Sequence, residues 1–212
     1  MNDNLTEIVF ILDRSGSMEG LTADTIGGFN SFVDKQKELP GEAVLTTVLF
    51  DDKYELLHNG VNLKDIKPLT EKQYFVRVMT ALLDAVGKTI NTVGERLAKM
   101  EEADRPAHVL FVITTDGEEN SSRVFGVYDV RKMIQHQTDV YNWQFIFLGA
   151  GIDAVASART MGIKATNASN YVGTSVGTQT MYDTVSDATV QYRAKGTISE
   201  DWNKDLNNTE GL

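Results

Sequence analysis

The chain has 212 residues, of which 42% are hydrophobic and 24% charged, so it can bury one sizeable core and is expected to be globular. Its 20 basic and 30 acidic side chains give a net charge of −10 at pH 7, which disfavours binding to the phosphate backbone of a nucleic acid. It contains no cysteine, which excludes disulfides, thiolate metal sites and cysteine nucleophiles and makes a reducing, cytoplasmic setting the expectation.

Membrane insertion and secretion are not expected either. The longest apolar run, Ile8–Leu12, has the length of a strand and is far shorter than the ~20 residues that span a bilayer. Residues 1–4 carry none of the positive charge typical of a signal peptide. The 3 histidines are scattered along the chain, which disfavours a zinc site built from several of them.

The predicted elements begin with a buried strand and an amphipathic helix. The run Ile8–Leu12 is apolar on both faces, which is typical of a central strand of a sheet. After a turn rich in serine and glycine, Ile26, Phe29 and Val33 recur at helical spacing. The helix that they mark is expected to stop before Pro40.

Strands and helices then alternate to the end of the patterned region. Two apolar runs, residues 44–50 and 54–61, are joined by a short polar stretch, which predicts an antiparallel hairpin. The remaining predicted elements are an amphipathic helix over 82–100, a strand over 108–113, a helix near 124–136, a strand over 143–148, a short helix up to Met161, and a final helix over 181–192 closed by Gly196.

This alternation predicts one α/β domain over residues 1–196 with a mainly parallel sheet. Residues 197–212 are polar and weakly patterned, and we expect them to form a loose or disordered tail. We find no internal repeat or linker that would divide the body into two domains.

Oxygen-bearing side chains stand where the predicted strands end. Asp13, Ser15 and Ser17 follow the first strand, Asp116 follows the strand that ends before it, and Thr80 stands at the start of the long helix. Ligands of doubly wound sheets bind beyond the carboxyl ends of the central strands, so these side chains are expected to share one site. Carboxylates and hydroxyls are hard oxygen ligands, which predicts a hard divalent cation, Mg²⁺ first and Mn²⁺ or Ca²⁺ as alternatives.

Three of these pieces together resemble a known family. The DxSxS pattern at Asp13–Ser17, Thr80 at a helix start and the TDG sequence at 115–117 are similar to the metal-ion-dependent adhesion site (MIDAS) of von Willebrand factor type A (vWA) domains, of the bacterial or phage cytoplasmic type. The resemblance covers about residues 5–195. It implies a three-layer, Rossmann-like, doubly wound sheet that is mostly parallel with one antiparallel edge strand.

The resemblance also implies roles for the five residues. Ser15 and Ser17 would bind the cation through their hydroxyls, Asp13 would act through water, and Thr80 and Asp116 would bind directly or through water depending on the conformational state. One coordination position stays open, and in the family an acidic side chain of a partner protein commonly fills it. The implied function is a metal-dependent protein-interaction module and not an enzyme. The partner's identity and the oligomeric state stay open.

One feature departs from the family pattern. Members commonly carry a glycine shortly before the threonine, whereas Val78 and Met79 precede Thr80 here. Because a β-branched residue resists positive φ, a differently shaped loop or a contact of Thr80 through water is expected. Thr80 also fits the role of a helix N-cap.

Several of these motifs also fit ordinary structural roles. Residues 13–17 and 116–117 each have the composition of an ordinary turn. The acidic pairs 51–52 and 118–119 are expected to be solvated surface, with the second pair as a candidate outer shell of the site. Residues 149–154 resemble a dinucleotide-binding turn only loosely, and we interpret them as tight packing of a strand against a helix.

Two other functions compete with the binding module. An α/β fold with Mg²⁺ at its strand ends supports phosphoryl transfer in haloacid-dehalogenase-like phosphatases, but Ser15 stands where their second carboxylate would be, and no histidine or cysteine base lies near in sequence. Alternatively, the fold serves as a structural component of an operon- or prophage-encoded complex, with metal binding incidental.

Overall fold

A computed structural model describes residues 1–207 of the chain. Over these residues the strands form one six-stranded sheet in the order β3-β2-β1-β4-β5-β6. All neighbouring pairs are parallel except β2 and β3, which are antiparallel, so β3 is an antiparallel edge strand. The strands are β1 Asn2–Asp13, β2 Glu42–Phe50, β3 Tyr54–Asn62, β4 Pro106–Thr115, β5 Gln144–Ala150 and β6 Ala168–Tyr171.

Helices cover both faces of this sheet. The helices are α1 Thr22–Lys37, α2 Leu82–Ala98, α3 Val127–Tyr141, α4 Ala154–Thr160, α5 Ser175–Lys195 and α6 Lys204–Asn207. Alternate residues of β1 point to opposite layers, so that Ile8, Phe10 and Leu12 pack towards α1 and α5, whereas Val9 and Ile11 pack towards α2, α3 and α4. The predicted three-layer, doubly wound, mostly parallel architecture is confirmed.

The parallel register brings the ends of the central strands together. Leu12 lies opposite Thr114 of β4, and Asp13 lies opposite Phe50 of β2. From Ile8 in β1 and Val109 in β4 onwards, both central strands are apolar on both faces and buried, which leaves their polar carboxyl ends as the place where chemistry can reach solvent.

The segment of residues 63–81, which we call the crossing segment, connects the two cores. Leu63, Leu69 and Tyr74 are buried in the core beneath α1 and α5, whereas Leu82, directly after the segment, is buried in the core beneath α2. The chain therefore passes over one end of the sheet between the hairpin and α2.

Most predicted elements are confirmed, including the hairpin and the helix closed by Gly196, whose φ is +70°. Two differ. The short edge strand β6 was not predicted, because its four residues carry little apolar pattern. Helix α3 begins at Val127 and not near Val124, because residues 123–125 donate their backbone N–H groups to the Asp84 carboxylate and so stay outside the helix.

The expectation of a loose tail from Thr197 is not met over the residues described. Trp202 and Leu206 are buried in the same core as α5. The indole N–H of Trp202 donates to the carbonyl of Thr166 at 2.7 Å, so the ring packs against apolar side chains while its N–H has a hydrogen-bond partner. The last part of the predicted tail, residues 208–212, lies outside the described residues.

Between residues 1 and 207, none of the helices combines the length and the hydrophobicity that crossing a bilayer requires.

Candidate metal centre

The turn after β1 gathers the first three predicted ligands. The backbone N–H of Ser15 donates to Asp13 Oδ1 at 2.7 Å, which folds the chain back over the strand end. The hydroxyl oxygens of Ser15 and Ser17 then lie 3.2 Å apart. Asp13 and Ser15 are almost fully buried, whereas Ser17 faces solvent.

Asp116 joins this group from the neighbouring strand. The hydroxyl of Ser17 donates to Asp116 Oδ1 at 2.5 Å, across 99 positions of sequence. The hydroxyl of Thr115 donates to Asp13 Oδ2 at 2.5 Å. The adjacent ends of β1 and β4 therefore place the two carboxylates in one polar cluster, as the sequence analysis expected.

Gly117 locates Thr80 in the same cluster. A Cβ atom added to Gly117 would lie 3.0 Å from Thr80 Oγ1, 3.4 Å from Ser15 Oγ and 3.5 Å from Ser17 Oγ. The three hydroxyls thus face one small volume beside Gly117, and a side chain at this position would push into them. All five predicted site residues are brought together.

Thr80 is held by the loop after β4. Its backbone N–H donates to Asn120 Oδ1 at 3.0 Å, and its carbonyl accepts from the N–H groups of Asn120 and Ser121. The N-cap residue of α2 is Ala81, so the alternative role of Thr80 as the N-cap is not found. Among the described residues, Asn142 is the only non-glycine with positive φ, so Val78 avoids the strained region.

Two acidic side chains complete the connection between this loop and α2. Glu119 accepts the N–H of Leu83 at 2.9 Å and also the N–H groups of Ser121 and Ser122. Asp84 accepts three successive backbone N–H groups of the loop, which lowers its pKa. We call these bonds, together with those of Thr80 to Asn120 and Ser121, the clasp. Glu118 is exposed as expected, whereas Glu119 is not the solvated surface residue that the sequence suggested.

A buried ion pair lies directly behind the turn. Arg14 is 1% exposed, and its Nε donates to Asp51 Oδ2 at 2.7 Å while Nη1 donates to Glu55 and to the carbonyl of Gln73. The prediction that Asp51 is solvated surface is wrong, and the burial of Arg14 was not predicted. No local signal marks it, because an arginine in a turn is usually solvated and its partner Asp51 lies 37 positions away.

Backbone bonds tie the crossing segment to the same place. The N–H of Arg77 donates to the carbonyl of Arg14 at 2.9 Å, and the N–H of Ala81 donates to the carbonyl of Asp51 at 2.8 Å. The Tyr74 hydroxyl donates to the carbonyl of Asp13 at 2.5 Å. The segment that carries Thr80 is therefore attached to the strand end that carries Asp13.

The site concentrates negative charge in a poorly solvated place. Burial raises the pKa of Asp13 to about 6, although hydrogen bonds from Thr115 and Ser15 oppose this, and burial also raises the pKa of Asp116. A bound cation would lower the electrostatic cost of keeping both carboxylates charged. Two carboxylates with three hydroxyls form an all-oxygen set that fits a hard divalent ion.

The site differs from a conventional cluster of charged ligands. Within residues 1–207 no group of three or more histidine, aspartate or glutamate side chains is placed to hold a metal. Any ion here would depend on neutral hydroxyls for much of its coordination.

The dinucleotide-like turn has a different role. A Cβ at Gly149 would lie 2.7 Å from the Ile152 side chain and 2.9 Å from that of Ala154, so this glycine permits close contact of β5 with the start of α4. The interpretation as tight packing is confirmed.

Comparisons with known proteins identify the fold. No family model and no curated protein matches the sequence. Among solved structures, the ArnB paralog VWA2 from Sulfolobus acidocaldarius is similar over 89% of this chain and 45% of its own, at 20% identity and a TM-score of 0.55. Proximal thread matrix protein 1 from the mussel byssus, solved with a zinc-occupied MIDAS motif, is similar over 86% of this chain and 47% of its own, at 14% identity and a TM-score of 0.57.

A third similar structure is BatB from Bacteroides thetaiotaomicron, which matches over 88% of this chain and 98% of its own, at 11% identity and a TM-score of 0.51. The chain spans about half the length of the first two structures. The present chain has the vWA fold.

Proposed function

We propose that this chain is a metal-dependent protein-interaction module. In this proposal Asp13, Ser15, Ser17, Thr80 and Asp116 hold a divalent cation, Mg²⁺ first, and an acidic side chain of a partner protein completes the coordination. The absence of cysteine in the sequence supports a reducing, cytoplasmic setting for this activity.

The observation that carries the proposal is the convergence of three hydroxyls beside Gly117, next to the carboxylate of Asp116. Three hydroxyls from the turn after β1 and the crossing segment face one volume beside a carboxylate, which is the kind of all-oxygen set that a hard divalent ion needs. The occupied MIDAS motif of the mussel protein supports a divalent ion at such a set.

An open approach supports the bridging role. A groove of about 360 Å³ borders Ser17 and Asp116, so a partner's side chain can reach the site from solvent. Three of the five donors are neutral hydroxyls and Asp13 would act through water, so an ion here would keep much of its positive charge and attract an incoming carboxylate. The cation would supply this electrophilic contact, while the chain's own residues hold and orient it.

The hydrogen bonds of Asp13 support binding over phosphoryl transfer. One oxygen accepts from the Ser15 N–H and the other from the Thr115 hydroxyl. A nucleophilic carboxylate must approach the substrate, whereas Asp13 is 1% exposed and each of its oxygens already accepts a hydrogen bond, which favours a supporting role towards a cation through water. Hydrolysis of a generic phosphate ester that disappears in Asp13→Ala would favour the enzyme instead.

Metal titration of the full chain tests the proposal. Thermal unfolding of metal-stripped protein should shift upwards with millimolar Mg²⁺, because an ion that binds only the folded state stabilises it. Ser15→Ala should remove the shift and keep the fold, whereas Ser31→Ala, on an exposed position of α1, should leave the shift unchanged. Equal responses of the two variants would contradict the proposal.

Partner capture separates an interaction module from a structural component. Protein immobilised in Mg²⁺ should retain partners that chelator elutes, and the Ser15→Ala protein should not retain them. Partners that stay bound in chelator would favour the structural role, with any metal binding incidental.

A further inference from the structure

Exposed apolar side chains collect on one side of the candidate metal centre. In the crossing segment Val78 is 85% exposed, and its neighbours Phe75 and Met79 are also exposed. In the loop after β4, Val124 is 75% exposed. Exposed large apolar side chains that gather next to a functional site are typical of an interaction surface.

These side chains are held in place. The carbonyl of Thr80 accepts two N–H groups of the loop, and the Asp84 carboxylate accepts the N–H of Val124 itself at 2.9 Å. The clasp therefore fixes the two segments side by side. Val78 and Val124 lie two and three residues from Thr80 and Ser121, which are directly hydrogen-bonded, so their exposed side chains flank the same contact.

Basic side chains lie within the same surface. The Arg77 guanidinium stacks over the Phe75 ring at 5.1 Å from its centroid, and Arg123 is exposed directly before Val124. We call the surface formed by Phe75, Arg77, Val78, Met79, Arg123 and Val124 the apolar rim. Arg77 lies 3.6 Å from the Asp51 carboxylate, which offsets part of its charge, whereas Arg123 is exposed to solvent.

The opposite side of the centre has another character. The groove beside Ser17 and Asp116 is lined by residues that follow β5 and β6, by glycines such as Gly151 and Gly173, and by the carboxylate of Asp24. It offers an acidic group and bare backbone, with Val176 at the start of α5 as an exposed apolar side chain near it. The face that carries the centre is therefore asymmetric.

From this asymmetry we infer that the partner is a protein segment whose acidic side chain is flanked by apolar residues, and that this segment lies across the apolar rim. The inference rests on the proposed function, since the acidic side chain is the one that reaches the cation. Apolar flanks would bury Val78 and Val124, and Arg77 and Arg123 would favour further acidic groups in the segment.

Peptide arrays test the inference with the full chain in Mg²⁺. Each peptide carries a central glutamate, and the two positions on either side are varied through all residue types. We expect apolar flanks to bind most strongly, basic flanks to bind least, and chelator to abolish the signal. Preference for basic or small polar flanks would overturn the inference.

Variants of the surface provide the second arm. The Val78→Ser, Val124→Ser double variant should bind the best peptide about tenfold more weakly or worse, because it removes two buried apolar contacts. Val176→Ser is the matched control, since Val176 is 73% exposed at the start of α5 beside the acidic groove, and it should bind like the wild type. Thermal stabilisation by Mg²⁺ should be the same in all three proteins.

The outcomes distinguish the two levels of the proposal. Metal-dependent binding that the double variant leaves unchanged, or that Val176→Ser weakens equally, overturns the inference and leaves the proposed function standing. If no peptide binds in a metal-dependent way, both are overturned.

Discussion

The five ligand candidates are positioned in two different ways. Four lie at or just after the ends of β1 and β4, and one lies in the crossing segment. Asp13 and Asp116 follow adjacent parallel strands, and the register of β1 and β4 alone brings them close. Thr80 comes from the part of the crossing segment that follows its short 3-10 helix Leu63–Asp65 and has no regular structure, and its place depends on the clasp with the loop after β4. A sheet positions side chains through its repeating backbone bonds, whereas a loop needs individual side chains for the same result.

Arg14 joins the two arrangements, because it lies in the turn after β1 and pairs with Asp51, whose carbonyl holds the crossing segment. We expect Arg14→Met to lower the free energy of unfolding by about 3 kcal/mol or more, since it leaves the buried Asp51 carboxylate without its main partner. Denaturant unfolding measures this. Adding Asp51→Asn to the variant should restore part of the loss, and a loss that stays the same would contradict the pairing argument.

Asp116→Ala removes a charge from the sheet-borne set. At a metal concentration of 100 times the dissociation constant, a bound ion contributes about 2.7 kcal/mol of stability, and this contribution should disappear. Calorimetric titration with Mg²⁺ and unfolding with and without chelator check it. A variant that is still stabilised by Mg²⁺ to the wild-type extent would remove Asp116 from the site.

A second buried ion pair shows whether any such pair affects the site. Arg96 of α2 donates to the fully buried Glu7 at 2.7 Å, away from the ligand candidates. We expect Arg96→Met to cost about 2 kcal/mol at pH 7 and to leave the response to Mg²⁺ unchanged. A changed response would mean that ion pairs anywhere in the sheet influence the centre.

Lys35→Met, at an exposed pair, should cost less than about 0.5 kcal/mol.

The cost of Arg96→Met depends on pH in a defined direction. Burial raises the pKa of Glu7 above its ordinary value of 4.5 in the folded protein, and the Arg96 charge opposes this. Removing that charge raises the folded pKa further, so the folded state holds a proton that the unfolded state releases above pH 4.5. The cost of Arg96→Met should therefore be largest at pH 7 and shrink as the pH falls towards 4.5. A cost independent of pH would contradict it.

Asp84→Asn weakens the clasp and so addresses Thr80 alone. We expect a loss of about 1 kcal/mol, because the variant exchanges charged acceptors of three N–H groups for a single neutral one. The dissociation constant for Mg²⁺ should rise by a few-fold only. Asp153→Asn at the N-cap of α4 is the matched control, and a larger effect on the metal there would contradict the role of the clasp.

The contrast between the two arrangements also explains what the sequence could predict. The DxSxS turn and Asp116 were found because each directly follows an apolar run, and the parallel sheet then dictates their proximity. Thr80 was named only through its place before α2. The clasp was missed because Glu119 and Asp84 have the local pattern of solvated residues, and only the tertiary fold brings unpaired backbone N–H groups to them.

The same limit applies to the buried charges and to the chain end. Arg14 and Asp51 lie far apart in sequence, so nothing local announces their pairing. Trp202 sits in a polar stretch, and the bed that receives it is formed by β6 and α5, of which β6 has too weak a pattern to predict.

Gly117 offers a steric tool that no ligand substitution provides. The methyl group of Gly117→Ala would stand 3.0 Å from the Thr80 hydroxyl oxygen and fill the space that three hydroxyls share, while every oxygen donor stays in the chain. The variant therefore tests whether the ion needs this space, separately from how strongly the oxygen donors bind it. A chain blocked in this way, with its carboxylates and its surface intact, would serve as a partner-binding reference that differs from the wild type by one carbon atom.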